Sequence, residues 1–394
     1  MAELYWDPYD ADIEVNPYET WRRMRDEAPV YRNEKHDFYA LTRFADVEAA
    51  HRDPQTFSSA RGTVLELMGP DLSATGQMIF LDPPEHTRVR NLMNQNFTPR
   101  ACEQMRPRIQ QIADELIDRA VAEGKIDLIL DFALQLPIIV ICEMIGYPPE
   151  DRVELKKWAD AVGNVIVLGS TIRHEIEARH AMIEMRAYFD RIMEAVRLDP
   201  NGNNLLSMLV RSGYPANEDE QLELFSNCAF LLGAGHETTT SLIGNGIRIL
   251  KEHPDQLELL RRDPSLVANA AEELLRFESP VQWTSRQALE DVAIGGVTIK
   301  TGESILLSLG AANRDAKMFP DPDRLDITRK NASRHLAFSG GIHFCLGAAL
   351  SRVEAQVGIN TLLRRLPTLR IEPQPLRWKS GSTIRTLESL PAAF

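Results

Sequence analysis

Apolar positions along the chain change period several times, and the period dictates the elements. Tyr18, Trp21 and Met24 recur at three-residue spacing on one helical face, whereas Val30-Tyr31 and Phe38-Tyr39-Ala40-Leu41 predict a strand hairpin. A second amphipathic helix begins near Phe44. Residues 58–84 carry Gly62, Gly69, Pro70, Gly76, Pro83 and Pro84 among apolar residues and predict a long irregular loop, a feature usually tied to function or motion.

Helical periods dominate residues 100–211, broken by turns at Gly146-Tyr147-Pro148-Pro149 and Asp199-Pro200-Asn201-Gly202. The next helix opens after Tyr214-Pro215 with Asn217 as its cap and runs to His253, just before Pro254. At about 1.5 Å per residue it is roughly 50 Å long, enough to cross the molecule. Strand patterns return only at residues 292–299 and 304–307, and a last helix covers 351–365. The pattern predicts a mainly α fold with minor β. With no repeat, low-complexity tract or Ser/Gly linker, residues 1–394 read as a single domain.

Hydrophobic residues make up 44% and charged residues 26%, as in a globular protein, so the chain can build a large core. The formal charge of −13 argues against a nucleic-acid partner, which requires a concentrated basic surface. No apolar run of membrane-spanning length and no signal-like start are evident, which predicts a cytoplasmic protein without a membrane anchor. The four cysteines, Cys102, Cys142, Cys228 and Cys345, lack the short spacing of a zinc cluster or a disulfide framework.

Three of those cysteines read as core residues. Cys345 does not, because it lies between the glycine-rich turn Ser339-Gly340-Gly341 and a helix start. Free N–H groups and the helix dipole favour a thiolate there, and Gly340, Gly341 and Gly347 allow close approach of a flat ligand. Zinc is excluded by the shortage of ligands around His343 and Cys345; a nucleophilic cysteine remains open, although no adjacent motif names its base. In the long helix, Leu231-Leu232-Gly233-Ala234-Gly235-His236-Glu237-Thr238-Thr239-Thr240 is poor helix-forming sequence, with each glycine costing about 1 kcal/mol against alanine. Small residues there suit a flat ligand, and a displaced carbonyl or a threonine hydroxyl could widen the helix into a groove. Glu273 and Arg276 are spaced to pair on one helix face.

The run Phe338-x-x-Gly341-x-His343-x-Cys345-x-Gly347 resembles the haem-binding loop of the cytochrome P-450 superfamily, and this pattern is highly specific. The resemblance spans essentially the whole chain, without a fused reductase domain, and is to the soluble bacterial type. It implies haem b (iron protoporphyrin IX) between the long central helix and the cysteine-loop helix. Cys345 would be the iron ligand, Phe338 would pack beside the sulfur, and His343 would reach a propionate. His86, Arg90 and Arg286 are similar to the family's remaining propionate donors. Ala234-Gly235-x-Glu237-Thr238-Thr239 resembles the oxygen-activation motif: Thr238 would hold dioxygen and water, and Glu237 would connect the site to bulk protons. His236 has no assignment and reads as a surface or packing residue. Glu273 and Arg276 resemble the family's E-x-x-R element, with Arg324 as the expected structural third member.

By the same resemblance the chain is a monooxygenase that inserts one oxygen atom from O2 into an apolar small molecule, by hydroxylation or epoxidation. Electrons would come from a separate ferredoxin-type partner and an NAD(P)H-dependent reductase, docking on a basic face around Arg100, Arg106, Arg108 and Arg352. Candidate substrate-pocket residues are Val64, Leu65, Leu67, Met68, residues 165–168, Phe230, Leu231, Val281, Trp283, Thr383 and Ile384; Trp283 reads equally well as core. Two rivals stand beside this reading. A peroxide-driven peroxygenase is disfavoured by the intact Glu237-Thr238 pair, and a non-catalytic haem-thiolate sensor or carrier would not need that pair.

Overall fold

Amphipathic periods become helices that bury one another's apolar faces. In the computed structural model, which describes residues 4–166, 170–379 and 383–394, these include α1 (Phe44–Arg52), α2 (Glu85–Asn94), α3 (Arg106–Glu123), α4 (Gln135–Ile145), α5 (Arg152–Gly163), α6 (Ile172–Leu198), α7 (Glu218–Glu252), α8 (Val267–Phe277) and α9 (Ala348–Arg365); further helices span Tyr18–Glu27 and Pro254–Arg262, beside shorter helical turns. One large apolar core runs from Met78 to Ala392 and joins the helices, and two smaller clusters lie under the sheet.

The 35-residue α7 organises the molecule. Its N-cap is Asn217, whose side chain accepts from the Glu220 N–H at 2.9 Å, and Glu218, Asp219 and Glu220 meet the positive end of the helix dipole. Every residue from Thr239 to Leu250 is buried, so this half is wrapped on all sides. Close packing demands small residues: a Cβ at Gly244 would stand 2.2 Å from Ile129 Cδ1. Against the sequence expectation, Leu128–Ile145 is long and apolar enough to cross a membrane by length and composition, but 72% of it is buried inside the protein, where it becomes a π-helical turn and α4.

The hairpin of Val30–Asn33 and Phe38–Leu41 forms with Val30 opposite Leu41. Phe38–Leu41 pairs in parallel with Ser304–Ser308, which pairs antiparallel with Trp283–Ala288, and Phe57–Ser58 closes the other edge. Residues 292–299 form a separate two-stranded hairpin around Gly295 and Gly296, both at positive φ. The expected loop of residues 58–84 is irregular, with three isolated 3-10 turns.

Candidate active site

Where the Gly-rich turn before Cys345 comes to rest is decided by α1. Gly341 has φ +62°, and a Cβ on it would stand 1.9 Å from the His51 carbonyl oxygen. Ser339 Oγ lies 3.1 Å from His51 Nδ1, and a Cβ at Gly340 would stand 3.3 Å from His51 Cβ. Packing against α1 therefore requires glycine at Gly341 and favours it at Gly340, a constraint their spacing did not show. Gly347 does face the site, since its Cβ would stand 4.0 Å from Cys345 Sγ. The Cys345 N–H donates to the Phe338 carbonyl at 2.9 Å, which folds the turn back on itself.

Cys345 and Phe338 open onto a cavity of about 1310 Å³, mouth included. Its opposite wall is α7, contributing Phe230, Leu231, Ala234, Gly235, Thr238 and Thr239. Gly235 also lets α4 approach, because a Cβ there would meet Ile141 Cγ1 at 2.8 Å. α7 remains continuous here rather than widening into a groove: the Thr238 hydroxyl donates to the Ala234 carbonyl at 3.0 Å, within the helix. Glu237 does not line the cavity; it meets Lys379 Nζ at 2.7 Å with 31% of its side chain exposed. Burial pushes its carboxyl up, and the Lys379 ammonium more than reverses this, leaving it below the ordinary value. His236 is buried and its Nδ1 lies 2.7 Å from the Leu232 carbonyl, a packing role.

Cys102, Cys142 and Cys228 are buried, and burial pushes their thiols up to about 11, about 12 and about 12. Cys345 differs in being exposed to the cavity. The dense protein around its sulfur still pushes the thiol up. Backbone N–H groups of Gly347 and Ala348 and the charges of Arg90 and Arg352 pull the other way without cancelling it. The loop alone thus does not produce the lowered thiol pKa that a helix start suggests; coordination to a cation would supply what the dipole lacks.

Several donors stand at the cavity with no carboxylate partner among the described residues. Arg286 is buried, hydrogen-bonds the Ser285 carbonyl and the Thr284 hydroxyl alone among the described residues, and burial brings it down to about 10. Burial, then Arg286 and His86, push His343 down to about 2. The His86 and His343 rings lie 4.4 Å apart, and both nitrogens of His86 and Nε2 of His343 have no hydrogen-bond partner among the described residues. Arg90 reaches the Phe344 carbonyl at 2.6 Å. Among the described residues that line the cavity, the sole carboxylate is Glu354. Two unpartnered imidazoles and two arginines without a carboxylate partner, around a cavity with one soft thiol at its floor, fit a planar dianion that carries a metal, which Cys345 would hold at the metal and His86, Arg90, Arg286 and His343 at its acidic edge.

The apolar wall differs in part from expectation. Leu231, Val281 and Phe230 line the cavity. Trp283 is 4% exposed and packs with Trp6, Trp21 and Phe38 in a separate cluster, against which Val64 and Leu65 also pack. Leu67 and Met68 belong to the same loop but not to the lining, and Ile384 bridges to Val281 through the backbone while the Thr383 carbonyl accepts from Gln282. Of residues 165–168, Val167 and Leu168 lie outside the described residues. Met78, Ile79, Phe97, Thr63 and Leu309 line the wall unpredicted, because distant loops meet there; no local pattern marks them.

Behind the cysteine loop, Glu273 and Arg276 pair at 2.7 Å with both side chains 0% exposed. The third member is Arg329, whose Nε is 3.1 Å from both Glu273 oxygens. Arg324, expected there, is exposed and contributes only its carbonyl, which accepts from Arg276 and Arg329. The basic docking face is also largely neutralised: Arg106 pairs with Glu103, Arg108 with Glu143 at 2.7 Å and Arg352 with Glu272 at 2.6 Å, while Arg100 is exposed.

Comparisons with known proteins agree on one family. The cytochrome P450 family profile matches residues 156–379. Vitamin D(3) 25-hydroxylase of Pseudonocardia autotrophica is 41% identical over 96% of this chain and 94% of its own length. Cytochrome P450 monooxygenase PikC of Streptomyces venezuelae is 39% identical over 96% and 91%. The solved structure of P450BioI in complex with an acyl carrier protein ligated to hexadec-9Z-enoic acid superposes with a TM-score of 0.88 at 35% identity, covering 98% of this chain and 100% of that one. With haem b as its cofactor and the mainly helical fold those relatives share, this chain is an oxidoreductase of the cytochrome P450 monooxygenase family.

Proposed function

We propose that the protein inserts one oxygen atom of O2 into a C–H bond or double bond of an apolar small molecule, in the cytoplasm, as a single domain fed by a separate ferredoxin-type protein and an NAD(P)H-dependent reductase. The observation that carries this reading is one cavity with Cys345 on its floor, the Thr238 hydroxyl on its roof and apolar side chains around both. Haem ligated by a thiolate supplies O2 binding and O–O cleavage.

The chain's own residues would do the rest. Cys345 holds the metal, and His86, Arg90, Arg286 and His343 bind the propionates. Phe230, Leu231, Val281 and Leu309 exclude water and orient an apolar substrate. Thr238 Oγ1, parked on the Ala234 carbonyl, can turn into the cavity and hold a proton there, and Glu237 stands on the same helix at the solvent side to resupply it. An arginine face that pairs with its own carboxylates leaves the ferredoxin a mostly neutral surface, so its docking should depend weakly on salt.

The test is spectroscopic and then kinetic. Reduced protein under carbon monoxide should show the red-shifted Soret band of sulfur ligation, and Cys345→Ser should lose it while keeping haem. Thr238→Ala, supplied with a surrogate ferredoxin, should go on consuming NAD(P)H while product per electron falls ~10²-fold, the scale of a lost proton transfer. A parent protein without the shifted band, or a fully coupled Thr238→Ala, sinks the reading.

A further inference from the structure

Arg352 does not stand free on the surface. Its Nε and Nη2 donate to the two oxygens of Glu272 on α8 at 2.6 and 3.0 Å. Glu272 is buried, and His335 Nε2 stands 3.2 Å from its Oε2, in ion-pair range though off the line of a hydrogen bond. His335 Nδ1 accepts from the Ala337 N–H at 3.1 Å, which leaves the Nε2 side facing the carboxylate. Burial pushes the Glu272 carboxyl up, but the His335 ring beside it and the hydrogen-bonded Arg352 guanidinium hold it down at about 2, so it stays an anion.

The clamp fixes where the arginine's charge lies. The Arg352 guanidinium sits 4.7 Å from the centre of the Phe338 ring, and the His335 ring is 5.5 Å from the same ring. Phe338 lines the cavity beside Cys345 and holds the Cys345 N–H through its carbonyl at 2.9 Å. Arg352 itself is not part of the lining. The order from the cavity outward is sulfur, aromatic ring, guanidinium, carboxylate. The Arg352 side chain is 30% exposed, but Phe338 between it and the sulfur is buried, so a charge at the third place is felt at the first more strongly than it would be across solvent alone.

We propose that Arg352, clamped by Glu272 and laid over Phe338, is a positioning residue that sets the reduction potential of the iron bound to Cys345. Reduction adds one negative charge to the iron–sulfur unit, so a cation behind Phe338 favours the reduced form and the Glu272 carboxylate opposes it. The two partners must therefore act with opposite sign.

The experiment is an equilibrium redox titration of the purified haem-loaded protein, followed by absorbance without any redox partner, on the parent, Arg352→Gln and Glu272→Gln. Arg352→Gln should make reduction about tenfold less favourable, 59 mV for a one-electron couple. Glu272→Gln, which leaves the cation without its counter-charge, should shift the potential upward. Should Arg352→Gln fail to fold with haem, the direction of Glu272→Gln decides the matter alone. Shifts in the same direction in both variants, or no shift beyond twofold in either, would overturn the proposal. So would an effect confined to the salt dependence of ferredoxin-driven reduction, which would mark Arg352 as a docking residue.

Discussion

Glu354 shows how strongly burial governs a single side chain. It is 1% exposed on α9, and neither carboxyl oxygen has a hydrogen-bond partner among the described residues. Burial pushes its carboxyl well above the ordinary value; Thr239 pulls slightly the other way, but that hydroxyl donates to Ser351 Oγ at 3.1 Å. The folded protein therefore keeps a proton that the unfolded chain loses near pH ~4.3. Stability is full below that pH and falls as pH rises toward the folded value, because the unfolded state binds fewer protons. Glu354→Gln should remove this dependence. Urea unfolding should find the variant more stable than the parent at pH 7 and the two converging near pH ~4. A variant less stable at pH 7 would mean the carboxylate is ionised and paired.

At the scale of elements, glycines with the same residue name answer different constraints. Gly341 holds α1 against the cysteine loop at a distance that no side chain survives, so Gly341→Ala should cost several times more than an ordinary glycine replacement and deplete the sulfur-ligated spectrum. Gly233, one turn into the motif of α7, has nothing within 4 Å of its would-be Cβ. Gly233→Ala should therefore stabilise the helix by about 1 kcal/mol. Thermal unfolding of both variants with haem bound checks the pair, and a benign Gly341→Ala would show that the loop can retreat from α1. Helix spacing put Gly233 and Gly235 in the same class, and only the presence of Ile141 opposite one of them separates the two.

Over the whole molecule, the buried Glu273, Arg276 and Arg329 join α8 to the long irregular segment before the cysteine loop. Arg276 also caps the Asn313 and Pro322 carbonyls, at 3.0 and 2.8 Å. Removing one partner leaves an uncompensated buried charge, at a cost of about 3–5 kcal/mol. Arg329→Ala should therefore collapse haem retention or expression, whereas Arg324→Ala, whose contribution is a carbonyl that any residue supplies, should change stability by less than ~0.5 kcal/mol. Comparable losses in the two variants, measured by denaturant unfolding, would restore Arg324 to the triad.

Periodicity by itself determined the helices, the N-terminal hairpin and the limits of α7, since an amphipathic stripe and an Asn cap act within a few residues. Local motifs were also enough to mark Cys345, Thr238 and the Glu273–Arg276 pair, because their spacing within a helix or turn is itself the signal. Tertiary structure alone decided which arginine completes the buried cluster, why Gly340 and Gly341 are glycine, that Trp283 is core, and which of Met78, Ile79, Phe97 and Leu309 reach the cavity. It also neutralised much of the basic face, by bringing Glu143 and Glu272 to Arg108 and Arg352, which the sequence shows only as charges. The reason is physical: burial, pairing and close approach are properties of surfaces that meet across long stretches of chain, and no local pattern encodes the partner that arrives from elsewhere.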